Sequence, residues 1–269
     1  MKKFLLACPT TIFLLQPLQG LELKRVILST NNDPMYIQFW PVVAKLWQAM
    51  GLRPTLALVA HEDCTIDTSL GDVIRFDPLP DLPESLQAQA LRLMLPTLFP
   101  NDGCLIADID MLPVSYTYFR EGAAKAPNRA FVVYRNKAYQ EHKWPMCYVA
   151  ARGNVFKSIF GVSKIEEFPA LLRTMAAAGF GWNTDEIMMY RYVKKWEKAN
   201  KGSVVRLGHR VGPRLDRSTW ENQMQTFQAT PSLISNYIDC HCPRPYADYR
   251  DSIDSIVEAV LNEWKLVKK

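Results

Sequence analysis

A chain of 269 residues with 48% hydrophobic residues can bury a substantial core and is too apolar to be disordered. Its net charge of +5 is modest and dispersed. That suits an anionic ligand, but it gives no basic stripe of the kind that argues for nucleic acid. No repeat, low-complexity segment or Pro/Gly/Ser linker divides the chain, so residues 21–269 read as one domain.

Residues 1–20 begin Met1-Lys2-Lys3 and continue as an apolar run from Phe4 to Leu15, interrupted at Pro9. They read either as a secretory leader or as an N-terminal arm packed on the domain. Localisation therefore stays open between the cytoplasm and the secretory pathway or Golgi lumen. The six cysteines (Cys8, Cys64, Cys104, Cys147, Cys240 and Cys242) follow no disulfide framework, which points to free thiols.

Leu23 to Thr30 is apolar and β-branched enough for a strand. Asp33-Pro34 then supplies a helix cap and a first-turn proline. Tyr36 to Met50 has a helical pattern, with Val43, Leu46, Trp47 and Met50 on one face; Pro41 kinks it or marks its true start, and Gly51 ends it. Strands follow at Thr55–Ala60 and Asp72–Phe76, then a helix over Pro83–Leu98. Beyond residue 114, strands are expected at Ala130–Tyr134, Met146–Ala151 and, last, Val204–Leu207. Helices are expected over Ile165–Ala178 and from Asn183 to about Lys198, the latter capped by Asn183 or Thr184. A C-terminal amphipathic helix spans Asp251–Lys268. Alternation of strands and helices predicts an α/β fold with a mainly parallel, Rossmann-like sheet and flanking helices.

The segment Leu105-Ile106-Ala107-Asp108-Ile109-Asp110 carries the chemistry. The turn signal Asn101-Asp102-Gly103 and the apolar run predict a strand buried on both faces. Two carboxylates two residues apart point to one side of an extended chain. At the carboxyl end of a parallel strand, where ligands collect, they suit Mn²⁺ or Mg²⁺ shared with phosphate oxygens.

These pieces together resemble the nucleotide-sugar half of GT-A fold glycosyltransferases. The resemblance is carried by the strand ending Thr30-Asn31-Asn32, the segment from Gln87 to Pro100 and the Asp-x-Asp strand, and is clearest over residues 24–114. Trp182-Asn183-Thr184-Asp185-Glu186 resembles the acidic segment heading a helix that faces the donor sugar in such enzymes. Asp239-Cys240-His241-Cys242-Pro243-Arg244-Pro245-Tyr246 resembles, with Arg for Lys, Tyr for Trp and a shorter spacing, the His…Lys-Pro-Trp segment of the glycogenin-like branch.

The resemblance implies a metal-dependent glycosyltransferase that moves a sugar from a nucleoside-diphosphate sugar to a glycan, protein or small-molecule hydroxyl. Residues 21–114 would be its nucleotide-binding half and 115–269 its acceptor half. It implies metal ligands Asp108, Asp110 and His241, and donor contacts Asp108, Trp182 and Arg244. Arg92, in the helix before the metal strand, reads as a second donor contact or as a surface salt bridge, and Thr30 and Asn31, at a strand end, as base or ribose contacts or as a plain turn. Asp185 and Glu186 would act on sugar or acceptor, with a fold that tolerates their loss. Three readings compete: a haloacid-dehalogenase-like phosphatase, a catalytically silent nucleotide-sugar binder, and a zinc site around Cys240-x-Cys242. The sugar, base, acceptor, stereochemical course and oligomeric state are not written in the sequence.

Overall fold

The computed structural model describes residues 20–139 and 142–267; the 1–19 part of the apolar N-terminal run lies outside them. In chain order the elements are β1 (Leu23–Asn31), α1 (Pro34–Ile37), α2 (Trp40–Ala49), β2 (Arg53–Val59), β3 (Asp72–Phe76) and α3 (Glu84–Met94). Next come β4 (Gly103–Ile106), β5 (Met111–Pro113), α4 (Tyr116–Ala124), β6 (Phe131–Val133), β7 (Val149–Arg152), α5 (Gly153–Phe160) and α6 (Phe168–Ala177). The chain finishes with α7 (Thr184–Ala199), β8 (Val204–Arg206), β9 (Arg214–Asp216), α8 (Trp220–Ala229), β10 (Asp239–His241) and α9 (Arg250–Val267).

Seven strands form the main sheet in the order β3-β2-β1-β4-β7-β6-β8, and only β7 runs against the others. A second sheet, β5-β10-β9, packs beside it. Side chains alternate across the central strands. Val26, Leu28, Leu56, Leu58 and Leu105 join one core with α2, α4 and α9, whereas Ile27, Ala57, Val59, Cys104 and Ile106 join the other with α3, α5, α6 and α7. The result is three layers, helix on sheet on helix, with the sheet apolar on both faces.

Several local expectations are adjusted. Asp33 caps α1 by accepting from Met35 N at 2.9 Å, but the predicted long helix is broken after Ile37, and Pro41 stands in the first turn of α2. Proline there loses no helical hydrogen bond, so it starts the helix instead of kinking it. Pro96 turns the end of the third helix into a 3-10 turn, Leu95–Leu98. Asn183 and Thr184 make no side-chain cap to α7: Asn183 Oδ1 accepts from Lys143 and Thr184 Oγ1 donates to Gly181 O. Val204–Arg206 is followed by two further strands, β9 and β10, each three residues long and too short for a periodicity signal.

The two ends of the sheet have different charge roles. At the amino end of β1, Arg25 donates to Thr55, Asp72 and Asp102 and lies over the Phe99 ring, tying β1, β2 and β3 together. At the carboxyl end, charged groups face open space.

Candidate active site

A cavity of about 370 Å³ lies over the carboxyl ends of β1 and β4 and extends across β7 and β6. Ser29, Thr30 and Asn31 from β1 form one wall. Ser85, Ala88, Gln89 and Arg92 form another. Their spacing of three, four and seven residues puts them on one face of α3. Trp182 stands at the mouth, 64% exposed.

Arg92 is buried and bridges two carboxylates, donating to Asp108 through Nη1 and to Asp185 Oδ2 through Nη2 at 2.5 Å. It joins α3, the Asp-x-Asp loop and the start of α7. Burial alone would raise the Asp108 carboxyl, but the charge and hydrogen bond of Arg92 outweigh that and hold it below the ordinary range. Asp185 is raised, because its burial outweighs the same arginine. It is 2% exposed and ion-paired with Arg92, so its loss is expected to cost stability, where the sequence alone predicts a fold that tolerates it. Glu186 is also raised by burial, against Lys143 at 3.2 Å and the Tyr139 hydroxyl at 3.1 Å.

The small sheet brings in the C-terminal segment. Antiparallel pairing sets His241 opposite Met111, next to Asp110, while parallel pairing sets His241 beside Asp216 and Asp239 beside Arg214. His241 Nε2 therefore lies 3.7 Å from Asp110 Oδ2, and its Nδ1 lies 3.6 Å from Asp216 Oδ2. The same Asp110 oxygen meets Arg217 Nη1 at 3.1 Å and Arg244 Nε at 3.6 Å. Arg244 is steadied by Tyr36, whose hydroxyl accepts from Nη1 and whose ring lies 4.6 Å beneath the guanidinium. Asp110 is raised first by burial and then by the charge of Asp108.

All ten residues singled out in the sequence line this one cavity: Thr30, Asn31, Arg92, Asp108, Asp110, Trp182, Asp185, Glu186, His241 and Arg244. Sequence reasoning missed Tyr36, Arg135, Arg214 and Arg217, which line it too. No motif surrounds them, and β9 and β10 come together only in the folded chain. The described cysteines are free. Cys240 and Cys242 are buried with sulfurs 3.6 Å apart, and the described residues hold no cluster of three or more His, Cys, Asp or Glu side chains arranged for a metal.

A seven-stranded, mainly parallel sheet with flanking helices, forming a single domain, is the GT-A type of fold. Solved structures with this likeness include glycosyltransferases. GlyE of Streptococcus pneumoniae TIGR4 matches with a TM-score of 0.50 at 12% identity, over 91% of this chain and 64% of that one. This chain thus spans less than two thirds of GlyE. Galactosyltransferase LgtC, solved with donor and acceptor sugar analogs, matches at a TM-score of 0.47 and 12% identity, over 88% of this chain and 95% of that one. No protein-family model and no curated protein matches the chain.

Proposed function

We propose that this chain is a metal-dependent glycosyltransferase that moves a sugar from a nucleoside-diphosphate sugar to a hydroxyl acceptor. The observation that carries this reading is the convergence of Asp110, His241, Arg217 and Arg244 beside the Asp108–Arg92–Asp185 bridge, in one cavity over the strand ends. Five arginines and four carboxylates line that cavity, a balance that favours a diphosphate.

The residues fit a divalent ion. Two ligands at about 2.1 Å from one Mg²⁺ lie at most about 4.2 Å apart, and Asp110 Oδ2 and His241 Nε2 are 3.7 Å apart. A protein site with two direct ligands leaves positions for phosphate and water, which suits Mg²⁺ or Mn²⁺. Asp110 and His241 would hold the ion. Asp108, with one oxygen engaged by Arg92, would reach it through water or take a ribose hydroxyl. When bound, the ion neutralises charge on the diphosphate.

In the transfer, the acceptor oxygen forms a bond to the sugar's anomeric carbon while the bond from that carbon to the phosphate oxygen breaks. The electron pair leaves with the diphosphate. Arg244 and Arg217 stabilise the negative charge that develops there. Thr30 and Asn31 hold the nucleoside side, and Trp182 offers a flat face to a sugar. Asp185, oriented by Arg92, positions sugar hydroxyls, and Glu186 receives or guides the acceptor proton; its raised carboxyl suits that role.

A thermal-shift screen of UDP-, GDP- and ADP-sugars tests the reading. One donor is expected to raise the melting temperature with Mn²⁺ and to lose most of that effect in excess chelator. Slow metal-dependent hydrolysis of the same donor should accompany it. Equal binding with metal and with chelator would overturn the metal assignment, and no binding by any donor would overturn the transferase reading.

A further inference from the structure

Over the ends of β6 and β7, two guanidiniums share one carboxylate. Arg135 Nη2 donates to Asp239 Oδ2 at 2.6 Å, and Arg214 donates through Nε and Nη2 to both Asp239 oxygens at 3.0 Å. The Tyr148 hydroxyl adds a further bond at 2.8 Å. Asp239 is fully buried and stands behind the arginines, whereas Arg135 and Arg214 themselves line the cavity.

Arg214 alone satisfies Asp239 in a two-pronged pair, so one arginine suffices to clamp β9 to β10. The second guanidinium is surplus. Arg135 is 1% exposed and lies over the Tyr148 ring at 4.9 Å, yet a further hydrogen bond goes to the Cys147 thiol at 3.5 Å, a weak acceptor, and its Nε has no hydrogen-bond partner. Arg214 Nη1 reaches only Asp216, at 3.8 Å. A buried cation with donors to spare carries a desolvation cost that an anion in the adjoining space would offset.

We infer that this half of the cavity receives a sugar bearing a carboxylate, which is held by Arg135 and Arg214. This rests on the glycosyltransfer reading. The carboxylate has two sources, a uronic sugar on the donor or a uronic acid in the acceptor.

Titration calorimetry on the full chain with Mn²⁺ separates the possibilities. UDP, GDP and ADP alone first establish the nucleotide site. UDP-glucuronate is then compared with UDP-glucose, and GDP-mannuronate with GDP-mannose. The acceptor arm compares methyl glucuronide with methyl glucoside on nucleotide-saturated protein. In one arm the acid should bind at least tenfold more tightly than its neutral counterpart, and Arg135→Gln should level that preference to within twofold. If that variant does not fold, the wild-type comparison decides alone. Nucleotide binding with equal affinities for acid and neutral sugars in both arms would overturn this inference and leave the transferase reading standing. If none of the three nucleotides binds, the transferase reading falls and this inference with it.

Discussion

Asp108 and Asp110 stand two residues apart in very different electrostatic surroundings. Arg92 holds Asp108 ionised below the usual range, while burial and the charge of Asp108 push Asp110 up. A cation arriving at Asp110 would reverse that penalty, which makes it the residue on which metal-dependent binding turns. Asp110→Asn is therefore expected to abolish metal-dependent donor binding. His241→Ala should weaken it and shift the preference between Mn²⁺ and Mg²⁺; calorimetric titration with each metal checks both. Arg92→Met probes the other side of the site. It strands Asp108 and Asp185 without their cation and should cost about 3–5 kcal/mol near neutral pH. Without Arg92 both folded-state carboxyls rise above their unfolded values, so lowering the pH protonates them and relieves the penalty. The gap between wild type and variant in denaturant melts should shrink from pH 8 to pH 5. A gap independent of pH would point to lost packing instead.

The elements hold the site because strand ends and helix starts are pinned from outside it. β4 lies close against the chain beside it: a Cβ at Gly103 would sit 2.0 Å from the Glu22 carbonyl oxygen, so only glycine allows that approach. Gly103→Ala should destabilise the fold by about 1–3 kcal/mol or more, because backbone must move. Donor affinity should fall with it as the Asp-x-Asp loop shifts; an unchanged chemical-denaturation midpoint would show that the strand yields freely. At the far end of α7, Glu197 accepts from Arg206 on β8 and from Lys194, and these hydrogen bonds, opposed by burial, bring its carboxyl down from 4.5 to about 2. A depressed folded-state carboxyl contributes stability above the unfolded value, and that stability is lost as pH falls through the folded one. Wild type should therefore lose an advantage over Glu197→Gln between pH 4.5 and 2, read from melting temperatures across that window.

At the scale of the whole molecule, two apolar cores clamp one sheet, and the cavity opens over the carboxyl ends of β1 and β4. Trp40 and Trp47 are fully buried on one side, and Trp264 Nε1 donates to Val114 O at 2.8 Å, fastening α9 to the small sheet. On the proposed reading, donor and metal bind beside the C-terminal segment at the junction of the two sheets, and such binding should stabilise the fold as a unit. At a donor concentration of about 100 times Kd, with Mn²⁺ present, the native state gains about 2.7 kcal/mol. For a chain of this size that corresponds to a rise of roughly 5–10 °C in melting temperature. A single transition shifted upward is expected; a split transition would show that the small sheet unfolds separately.

Periodicity and turn chemistry by themselves determined the first half of the fold. The apolar strand before Asn31, the proline and glycine around α2, and the buried run before Asp108 each report local physics, in which side-chain alternation and backbone preference act over a few residues. They were enough to place the Asp-x-Asp pair at a strand end, whereas the acidic segment at Asp185 and the His241–Arg244 segment were joined to it by the resemblance to GT-A glycosyltransferases. The short strands β5, β9 and β10 exist because their partners do, so nothing within three residues of sequence marks them. Only tertiary structure decided that His241 would neighbour Asp110 and that Arg92 would bridge Asp108 and Asp185. It alone set Arg135 and Arg214 around Asp239. Arg92 and Asp185 are 93 residues apart in the chain, Arg135 and Asp239 104, and Asp110 and His241 131; the burial of opposite charges together in the two arginine pairs exists only once the sheets have closed around them.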